Sequence, residues 1–186
     1  MKILTFIFLL FFISKSGYSQ NFLGEFNSTK DSLSQIDSDL IINYHLSWGG
    51  MFLPDIDKDC SEIEPRYLFW ISNNRYYKQK FTECKEYPQV EINPSELLLT
   101  VLNNLNEIQQ TELLPVQSEE ITKIEVVHDD VWYFKIYTPK ISFTKSISRF
   151  VLETKNINDT EKNVNYESNQ KSILNKLIKL AQKEAY

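Results

Sequence analysis

Two adjacent asparagines between two aromatic-rich segments constrain the fold of this chain most. Asn73 and Asn74 separate residues Tyr67–Ile71 from residues Tyr76–Cys84. Asparagine tolerates the positive φ angles that a two-residue type I′ turn requires, so the pattern predicts a β-hairpin. In the register of that turn, Trp70 pairs with Tyr77. The chain therefore contains at least one antiparallel strand pair.

The same register gives the hairpin apolar side chains on both faces. One face carries Leu68, Trp70, Tyr77 and Phe81, and the other carries Tyr67, Phe69, Ile71 and Tyr76. We expect a helix over residues 93–110 to cover the second face. If that face is open to solvent instead, Tyr67, Phe69 and Tyr76 become a candidate binding platform for a protein or a glycan.

The expected helix has a clear beginning. Asn93 is placed as its N-cap, Pro94 as its first residue and Glu96 at the position that completes a capping box. The apolar side chains that follow at helical spacing are Leu98, Val101, Leu102, Leu105 and Ile108. We expect the helix to end before Pro115.

A second hairpin is predicted from residues Ile121–Val127 and Val131–Thr138. A three-residue loop, His128-Asp129-Asp130, places Ile124 and Val126 on the same face as Trp132, Phe134 and Ile136, whereas a two-residue loop places charged residues there. A third strand is expected from Ile141 to about Leu152, which makes the unit a meander.

The remaining segments complete an α+β fold. Residues 28–37 are expected to form a short helix, followed by an extended run to Trp48. Residues 153–170 are almost entirely polar, which predicts a loose linker. Residues 171–186 form an amphipathic helix that we expect to dock on the domain rather than on a membrane. The fold class is therefore an antiparallel sheet of about five strands, a hairpin plus a meander, packed with two or three helices.

The first residues are typical of an export signal. Lys2 precedes the apolar run Ile3–Ile13, and Gly17 and Ser19 are small residues before Gln20. A helix of that run is about 16 Å long, roughly half the hydrocarbon thickness of a bilayer. We expect residues 1–19 to be a cleaved signal peptide, with residues 20–152 as the globular domain. The expected location is the periplasm or the medium.

Cys60 and Cys84 are the only two cysteines. An even number of cysteines in an exported chain favours a disulfide, which would stabilise the fold by about 3.5 kcal/mol before strain is subtracted. Two free thiols are the alternative. A zinc site would also need His45 and His128, and the spacing matches no zinc pattern.

An acidic segment before the hairpin is a candidate calcium site. Asp55, Asp57 and Asp59 alternate as in a calcium-binding loop, and Glu62 follows. The EF-hand pattern fails because the sixth position is Cys60 and the twelfth is Arg66. A looser calcium site is one interpretation and a solvated acidic loop is the other. No other cofactor is expected.

Composition and motifs exclude several function classes. With four glycines the chain has neither a dinucleotide-binding nor a Walker A phosphate loop, and its net charge of −5 disfavours nucleic-acid binding. No nucleophilic or zinc-protease motif is present. His128 beside Asp129 and Asp130 is a candidate general base, but neighbouring residues in a tight turn point in different directions. His45 lies in an apolar stretch and is expected to be a packed or edge histidine.

These observations predict an exported, non-catalytic binding or interaction module, for example one of inhibitor or immunity type. Its partner is expected to be a protein or a glycan. The alternative is a secreted hydrolase of cell-wall or extracellular polymers that uses paired carboxylates. A concave site containing two acids favours the hydrolase, whereas a flat surface with an exposed aromatic patch favours the binding module.

Overall fold

The computed structural model describes residues 38–49, 64–82, 85–120 and 123–186. They form one antiparallel six-stranded sheet in the order β4-β3-β2-β1-β5-β6, together with five helices. The strands are β1 Leu40–Ser47, β2 Arg66–Ser72, β3 Arg75–Phe81, β4 Val90–Glu91, β5 Val131–Tyr137 and β6 Ser142–Ser148. The helices are α1 Glu96–Asn103, α2 Leu105–Gln110, α3 Arg149–Glu153, α4 Tyr166–Lys171 and α5 Ile173–Ala185. The predicted α+β class is confirmed, with one strand more than expected.

The hairpin around the two asparagines is confirmed in detail. Asn73 and Asn74 have φ angles of 52° and 58°, as a type I′ turn requires. Trp70 pairs with Tyr77, and the two rings stack with their centroids 5.4 Å apart. Local turn chemistry therefore sets the register of β2 against β3.

The main core lies between one face of the sheet and the helices. We call this the helical face; it carries Leu40, Ile42 and Tyr44 from β1. Tyr67 and Phe69 are 2% and 0% exposed on it and belong to the same core cluster as residues of α1 and α5. The expectation that the 93–110 helix covers this face is confirmed, although α5 shares the task and the helix is divided into α1 and α2.

Helix α1 begins later than predicted. Its N-cap is Ser95, whose hydroxyl accepts a hydrogen bond from the Leu98 amide at 3.1 Å, so Asn93 is not the cap. The carboxylate of Glu184 in α5 accepts hydrogen bonds from the Ser95 hydroxyl at 2.7 Å and from the Leu97 amide at 2.9 Å. An acidic group from a distant helix therefore caps α1, and no local sequence pattern announces it.

The prediction of a second hairpin is wrong. Strand β5 lies between β1 and β6, and residues 123–130 contribute only an isolated bridge from Ile124 to Val116. Pairing of β5 with β1 runs from Ile41↔Tyr137 to Ser47↔Val131. This long pairing buries apolar side chains of both strands, so a non-local partner replaces the neighbouring segment.

The meander prediction is correct for β5 and β6 but not for the end of β6. The Thr138 amide donates to the Ile141 carbonyl at 2.9 Å across the predicted turn. Strand β6 ends at Ser148 rather than near Leu152, because the Ser148 hydroxyl caps α3 by accepting from the Val151 amide. Leu152 then enters the core from a helix, at 3% exposure.

The polar segment 153–170 is not a loose linker. Buried asparagines hold it in place: Asn163 donates to the Thr154 carbonyl, and Asn169 exchanges hydrogen bonds with the amide and carbonyl of Leu114 at 2.9 and 2.8 Å. Side-chain amides imitate backbone pairing here, so ordering does not require apolar burial. The sequence rule failed because it counted only apolar residues.

Helix α5 docks on the domain as expected. Leu174, Leu177, Ile178 and Ala181 are buried in the main core. Within the described ranges, no helix is both long enough and apolar enough to cross a bilayer. The predicted signal peptide (1–19), the short helix (28–37), the calcium residues and both cysteines lie outside the described residues, so those four predictions stand untested.

The asparagine turn yields a direct test of the fold. We expect Asn74→Val to lower the free energy of unfolding by about 1–2 kcal/mol, because a β-branched residue is strained at positive φ. Asn74→Gly is the matched control and should stay within about 0.5 kcal/mol of the parent, since glycine adopts this conformation freely. Urea denaturation measures both. Equal losses in the two variants would contradict the role assigned to the turn.

Candidate functional site

Two regions of the described structure deserve comparison as candidate sites. The first is a wide, shallow depression of about 400 Å³ at the start of β5. Its lining includes His128, Asp129, Asp130, Arg149 and Glu153. The depression therefore contains the predicted general-base candidate, and its carboxylates test the hydrolase alternative.

Asp129 acts as a cap for the short helix α3. Its Oδ1 accepts a hydrogen bond from the Phe150 amide at 2.9 Å, and its Oδ2 accepts from the Ser148 hydroxyl. Ser148 in turn accepts from the Val151 amide at 3.0 Å. Both carboxylate oxygens are thus committed to the junction between β6 and α3.

Asp130 joins three separated parts of the chain. Its Oδ1 accepts from the Gly49 amide at 3.0 Å, and its Oδ2 accepts from Arg149 Nη1 at 3.0 Å. Arg149 Nε also donates to Glu153 at 2.8 Å. The hydrogen bonds that Arg149 donates to Glu153 and, to a smaller extent, to Asp130 raise its pKa above the ordinary value. The arginine between them is therefore a fixed positive charge.

The backbone approaches this turn closely at Gly49. A Cβ atom on Gly49 would lie 2.1 Å from the Asp129 carbonyl oxygen, so any side chain there would force a shift. Among the described residues, His128 makes no hydrogen bond to Asp129 or Asp130. A general base needs an orienting partner, so the geometry favours a structural role over a catalytic pair. We call Asp129 and Asp130, with the hydrogen bonds that they accept, the clasp.

The second region is the face of the sheet opposite the helices, which we call the opposite face. Its buried cluster contains Ile41, Leu68, Trp70 and Phe81, with Tyr77 and Tyr137 packed beside it. Toward β5 and β6 the surface changes character. The pairing of β1, β5 and β6 aligns three rows across it: Ile41–Tyr137–Ser142, Asn43–Lys135–Thr144 and His45–Tyr133–Ser146. The exposed members are Lys135, Ser142, Thr144 and Ser146, and both tyrosines are half-buried.

His45 is the most perturbed group on the opposite face. Its ring stacks on Tyr133 with the centroids 5.0 Å apart. Burial, assisted by the positive charge of Arg66, lowers the pKa of His45 from 6.5 to about 4. The imidazole is therefore neutral at pH 7. Its half-buried ring, stacked on Tyr133, agrees with the expectation of a packed or edge histidine.

Two polar atoms of β1 lie buried without a hydrogen-bond partner on this face. They are Nδ1 of His45 and Oδ1 of Asn43, two residues apart on the same strand. Asn43 is 8% exposed. An unpaired buried polar atom costs free energy, so these two atoms mark the place where the central strand is least satisfied.

The predicted site residues fall in different places. Tyr67 and Phe69 are in the core and Tyr76 packs against it, so these three side chains do not form a surface platform. Asp55, Asp57, Asp59 and Glu62 lie outside the described residues. Elsewhere in the described chain, no three His, Cys, Asp or Glu side chains converge as a metal site would require.

The sequence contains a pattern that indicates the surface of β5 and β6 on the opposite face, although the sequence analysis did not identify that surface. Tyr133, Lys135 and Tyr137 alternate with the apolar residues of β5, and serine and threonine alternate with Phe143 and Ile147 in β6. That pattern indicates two half-buried strands. What could not be deduced was that β1 would place His45 beside Tyr133.

The clasp can be tested through stability. We expect Asp129→Ala to lower the free energy of unfolding by about 1–2 kcal/mol, since it leaves the Phe150 amide and the Ser148 hydroxyl without their acceptor. Asp159→Ala, at an exposed acid of the neighbouring loop, should have almost no effect. Thermal or urea unfolding of both variants provides the comparison. Surface substitutions usually change the free energy of unfolding by less than about 0.5 kcal/mol. A loss of that size for Asp129→Ala would argue against the clasp.

His45 predicts a pH dependence of stability. Its pKa of about 4 in the folded chain lies below the ordinary 6.5. The neutral ring therefore stabilises the fold above pH 6.5, and this contribution is lost as the pH falls toward 4. Allowing for partial exposure, we expect the loss to total about 1–2 kcal/mol.

The two histidines provide matched variants for that measurement. Urea unfolding of His45→Gln between pH 7 and pH 5 should depend less on pH than unfolding of the parent. His128→Gln should retain the parental dependence, because His128 is exposed. Identical pH profiles for all three proteins would refute the assignment to His45.

Comparison of the chain with models of protein families, with curated proteins and with solved structures finds no match.

Proposed function

We propose that this chain is an exported, non-catalytic binding module that holds another exported protein, as an inhibitor or immunity-type protein does. The observation that carries the proposal is the aromatic and hydroxyl surface where β1, β5 and β6 meet on the opposite face. It is built on the antiparallel sheet, and Tyr133 and Tyr137 stand half-exposed on it. Tyrosine combines large contact area with few rotatable bonds and a polar tip, which suits a protein interface.

The electrostatics of this surface agree with a protein partner. Lys135 is exposed between the two tyrosines, and its Nζ lies 5.2 Å from the ring centroid of Tyr137. His45 is neutral at pH 7, so Lys135 is the one charged residue in the three aligned rows, and Arg66 pairs with His45 at their edge. An aromatic patch with positive charge suits a partner segment that presents apolar groups and a carboxylate.

The acids of the depression support the absence of catalysis. Asp129 and Asp130 hold the junction of three chain segments through backbone amides, Ser148 and Arg149. A hydrolase of the predicted kind needs one protonated acid and one free carboxylate facing a substrate. Carboxylates already engaged in structural hydrogen bonds are poorly suited to either role.

The hydrolase remains the second candidate because of one specific observation. Asp129, Asp130 and Glu153 line the same open depression, together with His128. An enzyme of this type would lose activity on a cell-wall polymer when Asp130 is changed to Asn, without a loss of partner binding. For the proposed binding module, we expect partner binding to be lost when the tyrosines of β5 are changed.

Affinity capture tests the proposal. The tagged chain without residues 1–19 is incubated with native periplasm and medium, and captured proteins are quantified by mass spectrometry and then by titration. We expect one discrete partner. Tyr133→Ala and Tyr137→Ala should each raise its Kd at least roughly tenfold, a loss of about 1.4 kcal/mol or more in binding free energy.

Tyr186→Ala is the matched control, because this tyrosine is 83% exposed and lies at the end of α5, which packs on the helical face. It should bind the partner as the parent does. If Tyr133→Ala, Tyr137→Ala and Tyr186→Ala all bind the partner equally well, the interface does not include the tyrosines of β5. Failure to capture any discrete partner from either compartment would overturn the proposed function.

A further inference from the structure

The outer strand β6 has no strand paired with its far side among the described residues. It is the last strand in the order β4-β3-β2-β1-β5-β6 and runs for seven residues, Ser142–Ser148. In an antiparallel sheet, alternate residues of a strand direct their N–H and C=O groups to opposite sides. Half of the amide groups of β6 therefore point away from β5, at the rim of the sheet.

Two hydrogen bonds identify which residues these are. The Ile141 carbonyl accepts from the Thr138 amide, and the Arg149 amide donates to the Asp130 carbonyl, each at 2.9 Å. Both bonds join the β6 segment to the β5 segment in the register of the ladder, so residues with odd numbers face β5. Ser142, Thr144 and Ser146 consequently direct their amide groups outward.

The rim itself carries little of the usual protection against pairing. Edge strands are normally guarded by proline, by a bulge, by charged side chains that point outward or inward, or by a covering helix or loop. Strand β6 contains no proline, glycine or bulge, and its one charged residue, Lys145, points inward onto the helical face, where it is already paired. There its Nζ donates to Glu112 at 2.6 Å and to the Thr111 carbonyl at 2.8 Å. The side chains at the rim are small, neutral and hydroxylated.

We propose that the partner inserts an extended peptide segment against β6 and adds a seventh strand to the sheet. This inference deepens the proposed function and rests on it. The alternating donors and acceptors of Ser142, Thr144 and Ser146 match the backbone of an extended polypeptide, with affinity supplied by main-chain hydrogen bonds. The small hydroxyl residues leave room for β-branched side chains on the neighbouring strand.

The position of β6 favours a partner protein over a second copy of this chain. Ser142 and Ser146 pair with Tyr137 and Tyr133, so the added strand would lie two strand spacings, about 10 Å, from the two tyrosines of β5. A partner can contact both. Two copies joined only through their β6 strands would bury little beyond one strand pair, well under the roughly 1,200 Å² of a stable interface.

Peptide selection combined with backbone variants tests this inference. The folded chain is used to select binders from a random decapeptide library, and each binder is titrated against variants. Thr144→Pro and Ser146→Pro each remove one outward N–H while leaving the bonds to β5 intact, so each should weaken binding roughly tenfold or more. Thr144→Ala and Ser146→Ala keep the backbone and should bind within about twofold of the parent.

Amide hydrogen exchange supplies a readout that does not depend on the proline variants. In the free protein, the amides of Ser142, Thr144 and Ser146 should exchange quickly, and those of Phe143, Lys145 and Ile147 slowly. Addition of a selected peptide should slow the first group at least tenfold (about 1.4 kcal/mol of protection) and leave the second group unchanged. Slow exchange of the first group in the free monomer would overturn the inference.

Other outcomes separate this inference from the proposed function. Selected peptides that bind the proline variants as tightly as the parent overturn strand addition. Self-association that protects the same three amides overturns it as well, because the occupant is then a second copy. If strand addition fails while partner capture still depends on Tyr133, the proposed function stands. If capture also fails, both fall.

Discussion

The pairing of β1 with strands on both of its sides is the interaction on which the rest of this structure depends. β1 pairs with β2 from Leu40↔Ile71 and with β5 from Ile41↔Tyr137, so it is the only described strand that joins the N-terminal hairpin to the later meander. Its even-numbered residues enter the core under the helices, while its odd-numbered residues build the opposite face. The same eight residues therefore decide both the packing of the domain and the composition of its candidate binding surface.

Local chemistry was readable from the sequence, and long-range pairing was not. The Asn73–Asn74 turn carries its own conformational requirement, so the hairpin and its register followed from two residues. The choice of β1 as the neighbour of β5 depends on apolar burial between residues about ninety positions apart, for which adjacent segments offer no signal. Asn169 illustrates a related failure: a polar residue orders a polar segment by bonding to the backbone of Leu114, and composition cannot distinguish it from a solvated asparagine.

The candidate site was only partly accessible to the same reasoning. His128-Asp129-Asp130 was identified as a turn with catalytic chemistry available, and nothing in its spacing could reveal that Gly49 and Arg149 occupy Asp130. The tyrosines of β5 were visible as alternating residues, but the surface that we propose for binding also includes residues of β1 and β6 on either side. A surface assembled from three strands exists only once the strand order is known, which is why its residues could not be selected in advance.

The two faces of the sheet differ: the helical face carries the main core, and the opposite face carries the surface that we propose for binding. On the helical face, even a charged side chain stabilises the fold. Lys145 donates a hydrogen bond to the Thr111 carbonyl at the end of α2 and pairs with Glu112. That arrangement keeps the one charge of β6 away from its outer side and pairs it with Glu112. On the opposite face, the same strand presents neutral hydroxyl residues beside half-exposed tyrosines. A strand can thus be firmly anchored on one side and still offer its backbone on the other, and this combination is what a rigid template for strand addition requires.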